Sequence, residues 1–139
     1  GTIAGISKGM RFHTAVNRFS LEASLNNPLP IWKKMMYKPK PYLSLKDAFK
    51  VIKFTIEKNF FHNDIFNILS ENLTLYQIIS FFKKNNKKIK IEYRNSKLIN
   101  QFSYTISNKK FSTKAFKLKS KIKDDIKDTL KLLGNYNEM

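Results

Sequence analysis

Cysteine is absent from the 139 residues, and arginine, glycine, tryptophan and acidic side chains are scarce. Without cysteine there is neither a disulfide framework nor a thiolate metal site. The two histidines, His13 and His62, stand 49 positions apart, too sparse a set for metal chemistry. They read as surface or capping residues. The four glycines are Gly1, Gly5, Gly9 and Gly134. None falls between a strand pattern and a helix pattern, so no G-x-G-x-x-G turn and no Walker-type loop is available to cradle phosphates. No serine, histidine and acid set stands at a recognisable motif spacing, and there is no nucleophile elbow. No run approaches the roughly 18 uninterrupted apolar residues that a spanning helix needs, and the opening GTIAGISKGM lacks the charged-then-apolar layout of a secretory signal. The expectation is a soluble, cytoplasmic protein without a membrane partner.

What the chain has in quantity is lysine. Of 27 basic residues 24 are lysine, only Arg11, Arg18 and Arg94 are arginine, and the formal net charge is +17. Such a charge invites a nucleic-acid reading, because basic surfaces bind phosphate backbones by releasing counterions. Base-edge readers and phosphate clamps favour the flat, bidentate arginine fork, and here lysines are scattered along most of the chain. This distribution argues against specific nucleic-acid binding and for a solvated surface. A basic nucleic-acid-binding module is kept as the rival reading. At 139 residues and 42% hydrophobic, the chain suffices for a single domain with a genuine core.

Apolar spacing predicts the elements. Phe12, Ala15, Val16, Phe19 and Ala23 share one face of a helix over 12–25, ended by Asn26 and Asn27. LPIW, with Pro28 and Pro30 about Leu29, reads as an edge or first strand, and KKMMYKPKP as a loop. Ser44, with Asp47 as capping partner, opens a helix whose apolar stripe is Leu45, Ala48, Phe49, Ile52 and Ile56, ending near Asn59. IFNILS, apolar on both faces, reads as a buried strand followed by a turn at SEN, with Asn67 as a buried amide pinned to backbone groups of neighbouring loops. Thr74 and Gln77 form a second capping box before the stripe Leu75, Ile78, Ile79 and Phe82, and KKNNKK closes that helix. Ile89, Ile91 and Tyr93 alternate as a strand with one wet face, and Phe102, Tyr104 and Ile106 repeat the pattern. A last helix over 120–133 carries Ile122, Ile126, Leu130 and Leu133 on one face, with Asp124, Asp125 and Asp128 near its positive end. The class is α/β, with no internal repeat.

One stretch imitates a catalytic motif. YRNSK, residues 93–97, has the Tyr-x-x-x-Lys spacing of short-chain dehydrogenases, where the lysine lowers the tyrosine's pKa from the same helical face. Here the tyrosine ends a strand pattern and the lysine falls in a loop. The match reads as accidental.

Taken in order, GTIAGISKGMRFHTAVNRF, LNNPLPIW, KPKPYLSLKDAFKVI, IFNILSENLTLYQII, YTISNKK and IKDDIKDTLKLL resemble the C-terminal half of NAD-dependent sugar-nucleotide epimerases and dehydratases, the extended short-chain dehydrogenase/reductases. The resemblance covers residues 1–133. It implies a small mixed α/β substrate-binding subdomain lacking the Rossmann half. Residues 1–11 would be the tail of the cofactor-binding domain and 12–139 the substrate-binding domain. In that family NAD, the catalytic Tyr-x-x-x-Lys and the dimer helices belong to the N-terminal half. The implied partners are therefore a nucleotide-diphospho-sugar and the missing N-terminal Rossmann half. The chain alone should bind no cofactor and be inactive.

The resemblance also nominates residues. FHTAVNRF is similar to a segment that presents polar groups to the sugar diphosphate, which would make Thr14 and Asn17 site residues; as ordinary polar helix residues they need no ligand. PLPIW is similar to the strand that holds the nucleobase, implicating Pro30, Ile31 and Trp32, although a lone tryptophan also suits a core. Lys40 stands at or beside a family arginine that grips the diphosphate, supplying charge without the bidentate fork. Arg94 falls near a second phosphate-gripping arginine, and a solvated loop arginine is its alternative. No catalytic, cofactor-binding or metal-binding residue is implied.

Overall fold

Asparagine ends the first two helices through the left-handed conformation it tolerates better than other side chains. Helix α1 (Ala15–Ser24) is followed by Asn26 at φ 58°, and α2 (Leu45–Glu57) by Asn59 at φ 48°. Each end closes with a pair of backbone bonds: Asn26 to Ala23 and Asn27 to Glu22 in α1, Asn59 to Ile56 and Phe60 to Thr55 in α2. Helix α3 (Leu75–Asn85) begins with the full capping box: the Thr74 hydroxyl accepts from the Gln77 N–H, and the Gln77 side chain accepts from the Thr74 N–H. These ends agree with the sequence reading.

The computed structural model describes residues 1–86, 88–95 and 103–136, with side chains as far as residue 134. The remaining elements are β1 (Thr2–Ala4), β2 (Leu29–Trp32), a 3₁₀ turn (Lys33–Met35), β3 (Lys40–Ser44), β4 (Glu71–Leu73), β5 (Ile91–Arg94), α4 (Lys109–Lys114) and α5 (Ile122–Tyr136). Two sheets form a small mixed α/β fold. In the first, β3 lies between β1, to which it runs parallel, and β4, to which it runs antiparallel. In the second, β2 and β5 pair in parallel. Helix α5 packs against α1 and α3, and α1 against β2. Phe19, Leu29, Ile31, Ile78, Phe82, Ile122 and Ile126 fill the core between them. The rings of Phe19 and Phe82 meet edge to face at 6.2 Å. A second aromatic cluster, Phe54, Phe60, Phe66, Phe111 and Phe116, ties the far end of α2 to α4.

A buried polar knot joins the first sheet to α5. Asp47, fully buried, accepts from the Ser70 hydroxyl (2.7 Å) and from both the hydroxyl (2.7 Å) and N–H (3.2 Å) of Ser120. The Ser44 N–H donates to Ser70 Oγ (2.9 Å), and the Ser44 hydroxyl to Asp125 Oδ1 (3.1 Å). Ser44 therefore precedes α2 without capping it by its side chain, and Asp47 serves the core instead of the helix end. Asp125 faces Ser44 from the first turn of α5.

Besides the Ser44 cap, five expectations fail. The stripe Phe49, Ile52 and Ile56 of α2 faces solvent, because that helix turns Asp47 inward and rests Val51 and Phe54 on the protein. IFNILS is not a strand: Ile65 is 85% exposed, and pairing begins only at SEN, where Glu71 sits opposite Tyr42. Asn67 is accordingly exposed and pins nothing; Asn72 and Asn108 do that work, Asn72 with both atoms of its amide on the backbone of Ile106 and Asn108 on the carbonyl of Leu69. Tyr104 and Ile106 lie in chain without strand pairing, since the Asn72 side chain takes the Ile106 bonds that a neighbouring strand would need; Phe102 lies outside the described residues. The region taken as loop after Trp32 contains the 3₁₀ turn and the start of β3, and α4 is an added helix.

Candidate functional site

The parallel register of β2 and β5 places Trp32 opposite Arg94, Ile31 opposite Tyr93 and Pro30 opposite Glu92. Two nominated residues far apart in sequence thus become neighbours on one ribbon. Helix α1 touches β2 and only residues 25–28 join them. Thr14 and Asn17 stand at the N-terminal end of α1, and Trp32 and Arg94 at the C-terminal ends of their paired strands.

The individual environments differ. The side chains of Pro30 and Ile31 are buried, leaving only backbone for a ligand, while the Trp32 ring is partly exposed. Arg94 holds Glu92 with both arms of its guanidinium, Nε to Oε1 at 3.2 Å and Nη2 to Oε2 at 3.3 Å. These residues stand two apart on one strand, so their side chains share a face. The pair is solvent-exposed and therefore contributes little to stability. A diphosphate could replace that carboxylate with the same bidentate geometry.

Thr14 precedes α1 and donates to the Arg11 carbonyl (3.3 Å), which also accepts from Asn17 Nδ2 (3.1 Å). Asn17 is only 4% exposed, and no described residue donates to its Oδ1. An unmet buried acceptor of this kind costs about 1–3 kcal/mol, and it lies at the nominated end of α1.

Lys40 lies on the other sheet, opposite Leu73 at the start of β3. Partial burial pushes its ammonium pKa below the usual lysine value. Tyr37, between the 3₁₀ turn and β3, and Tyr76, in the first turn of α3, form a pair that the sequence reading missed. Tyr37 and Tyr76 are both exposed, with ring centroids 5.6 Å apart, and the Tyr76 N–H donates to the Met36 carbonyl (2.9 Å). The only signal for them was tyrosine in a lysine-rich loop and on the polar side of a helix. His13 and His62 are exposed, the latter packed edge-on to Phe60. Tyr93 of the YRNSK stretch is an exposed strand residue, and Lys97 lies outside the described residues.

No family model matches the sequence, and no curated protein sequence matches it. Solved structures do match in shape. A point mutant of the UDP-glucuronic acid 4-epimerase of Bacillus cereus, in complex with UDP-4-deoxy-4-fluoro-glucuronic acid and NAD, superposes with a TM-score of 0.81 at 18% identity, over 97% of this chain and 43% of that one. The UDP-N-acetylglucosamine 4-epimerase of Bacillus cereus gives 0.69 at 16% identity, over 95% and 44%. The dTDP-glucose 4,6-dehydratase of Bacillus anthracis in complex with NAD gives 0.69 at 16%, over 98% and 44%. The chain thus spans less than half the length of these structures, and it has the fold that sugar-nucleotide epimerases and dehydratases carry over that part of their length.

Proposed function

We propose that this chain is the substrate-binding portion of an NAD-dependent sugar-nucleotide epimerase or dehydratase, and that it binds a nucleotide-diphospho-sugar without being catalytic by itself. The observation that carries the reading is the fold shared over 97% of the chain with an epimerase holding a UDP-sugar and NAD. In this reading Trp32 supplies the ring and Pro30 and Ile31 the backbone beside the base. Arg94 and Lys40 supply charge to the diphosphate, with Thr14 and Asn17 offering polar groups nearby. The unmet Oδ1 of Asn17 supports that assignment, since a donor from a ligand would satisfy it.

In this reading the described residues are not the NAD site. Gly5, the glycine that follows a strand, takes φ +129° to let β1 pass Leu45, whose Cβ would lie 2.9 Å from an added Cβ. It leads into no helix that could receive a pyrophosphate. We therefore assign NAD, and the hydride chemistry it supplies when bound, to a half this sequence does not contain, with residues 1–11 as the end of that cofactor domain and residues from 12 onward as the substrate domain.

Calorimetric titration of UDP-glucuronic acid and dTDP-glucose into the protein tests the reading. A Lys40→Ala, Arg94→Ala double variant should bind about a hundredfold more weakly or worse, since each of the two charge-assisted bonds contributes about 1.5–3 kcal/mol. Unchanged affinity in the double variant refutes the phosphate assignment. Salt-dependent binding of random oligonucleotides, indifferent to UDP-sugars, would instead establish a basic nucleic-acid-binding module.

A further inference from the structure

Acidic residues are unevenly spaced along the chain. Between Glu22 and Asp47, and again between Glu71 and Glu92, there is no aspartate or glutamate, and these two segments together carry ten lysines and no arginine. The fold lays them side by side. The Leu29 N–H donates to the Lys90 carbonyl (2.9 Å), Lys40 stands opposite Leu73 across β3 and β4, and the Tyr76 N–H donates to the Met36 carbonyl. Lys33, Lys34, Lys38, Lys83 and Lys84 are exposed, and none of these five has a carboxylate partner among the described residues. Tyr37, between Lys34 and Lys38, is 74% exposed and touches Tyr76, which is 56% exposed, with ring centroids 5.6 Å apart. Tyr76 and Lys83 are seven positions apart on α3, so they lie on one line of that helix, about 10 Å from each other.

We infer that the Tyr37 and Tyr76 pair, with the lysines about it, is a docking surface for an acidic segment of a partner protein, whose carboxylates meet the ammonium groups and whose apolar side chains rest on the rings. Charge complementarity selects this occupant. A surface of lysines without acids repels itself, and carboxylates brought to it relieve that repulsion. A second copy of the chain, itself carrying +17, would set lysine against lysine. Nucleic acid fits less well: neither segment supplies an arginine fork, and rings 5.6 Å apart leave no room for a base between them, which needs about 7 Å, two contact distances. Tyrosine, stiff and amphipathic, is a side chain that protein interfaces concentrate at their energetic centre. The inference does not rest on the nucleotide-sugar reading, which uses other side chains.

Fluorescence anisotropy of a fluorescein-labelled peptide of repeated Glu-Glu-Leu, at physiological salt, reads the surface. Tyr37→Ala combined with Tyr76→Ala should weaken binding by roughly tenfold or more, as loss of hot-spot tyrosines does. Lys33→Gln, Lys34→Gln and Lys38→Gln together should do the same. The same charge removed at Lys109, Lys117 and Lys119, exposed residues in and after α4, should change binding by less than about threefold, because salt screens charges beyond about 8 Å. No binding by the parent, unchanged affinity in the tyrosine variant, or equal losses from the two lysine sets overturns the inference. An oligo-dT that binds more tightly than the peptide and weakens with the same tyrosines assigns the surface to nucleic acid and overturns it too. Titration with UDP-glucuronic acid keeps the two readings apart. The tyrosine variant should bind it as the parent does, and a parallel loss would put the rings in the nucleotide-sugar site and overturn the docking surface. A parent that binds the peptide but no UDP-glucuronic acid removes the proposed function and upholds the docking surface.

Discussion

In α3 the apolar residues at helical spacing, Ile78, Ile79 and Phe82, are at most 5% exposed, whereas in α2 Phe49, Ile52 and Ile56 are exposed by 61–66%. The two helices are nearly the same length, and both start on a hydroxyl residue with a partner three positions on. What separates them is the use made of that polar start. In α3, Thr74 and Gln77 are spent on the helix end, which leaves the apolar face free to enter the core against α1 and α5. In α2, Ser44 and Asp47 are spent on Ser70, Ser120 and Asp125, and a buried carboxylate with three donors fixes which way the helix faces. Leaving a buried acid side chain without donors would cost more than exposing one more apolar stripe, so the polar knot sets the orientation.

The sharpest way to break the comparison is a pair of truncations. Phe82→Ala removes a fully buried ring from the core and should cost about 3–5 kcal/mol. Phe49→Ala removes an equal ring from an exposed position and should stay within about 0.5 kcal/mol in the 139-residue chain. Urea denaturation of both variants reads the difference directly, and a large loss from Phe49→Ala would show that the stripe is covered after all.

The polar starts themselves come next. Thr74→Ala breaks the capping box and should cost about 1 kcal/mol, measurable as a lower melting temperature with the fold intact. Glycine at the same position should cost less, because it too accepts the N-cap conformation.

The knot of α2 should show in pH dependence. Burial pushes the Asp125 carboxyl above its ordinary value of 3.8, and no described residue bonds its Oδ2. The folded protein therefore keeps this proton to a higher pH than the unfolded chain does. Between the two values the folded state binds more protons, so stability is greatest below 3.8 and falls as the pH rises through the folded value. Asp64 titrates oppositely, held low by its bond to Lys110. The test is thus the difference between parent and Asp125→Asn: the variant should lack this downward component in urea midpoints taken across the acid range. Identical pH profiles would mean that the Asp125 carboxyl is solvated.

The comparison also shows how far the sequence was readable. Spacing told which residues share a face of α2 and α3, and the asparagines told where α1 and α2 end, because both signals are local. What covers a face is not local, and neither is β3, where Pro41, with Pro39 just ahead of it, disguises a strand that forms only because β1 and β4 flank it. The same limit holds at the site. Trp32 and Arg94 could each be nominated singly, but their pairing depends on the β2 and β5 register. Tyr37 and Tyr76 escaped notice because their pairing is tertiary.

The smallest effect belongs to Asn67. An asparagine inside IFNILS reads as a buried amide with compulsory partners, and truncating such a residue would leave unmet donors at a cost of about 1–3 kcal/mol. In the fold its side chain is exposed, between Phe66, which joins the aromatic cluster, and Leu69, which is buried. The chain thus buries its apolar neighbours one by one without strand pairing. Asn67→Ala should therefore change stability by less than about 0.5 kcal/mol, whereas Asn72→Ala, which forfeits both bonds to Ile106, should cost about 1 kcal/mol. If the two rank the other way, the stretch from 65 to 70 is a strand and the exposed run of Ile65 is covered in solution.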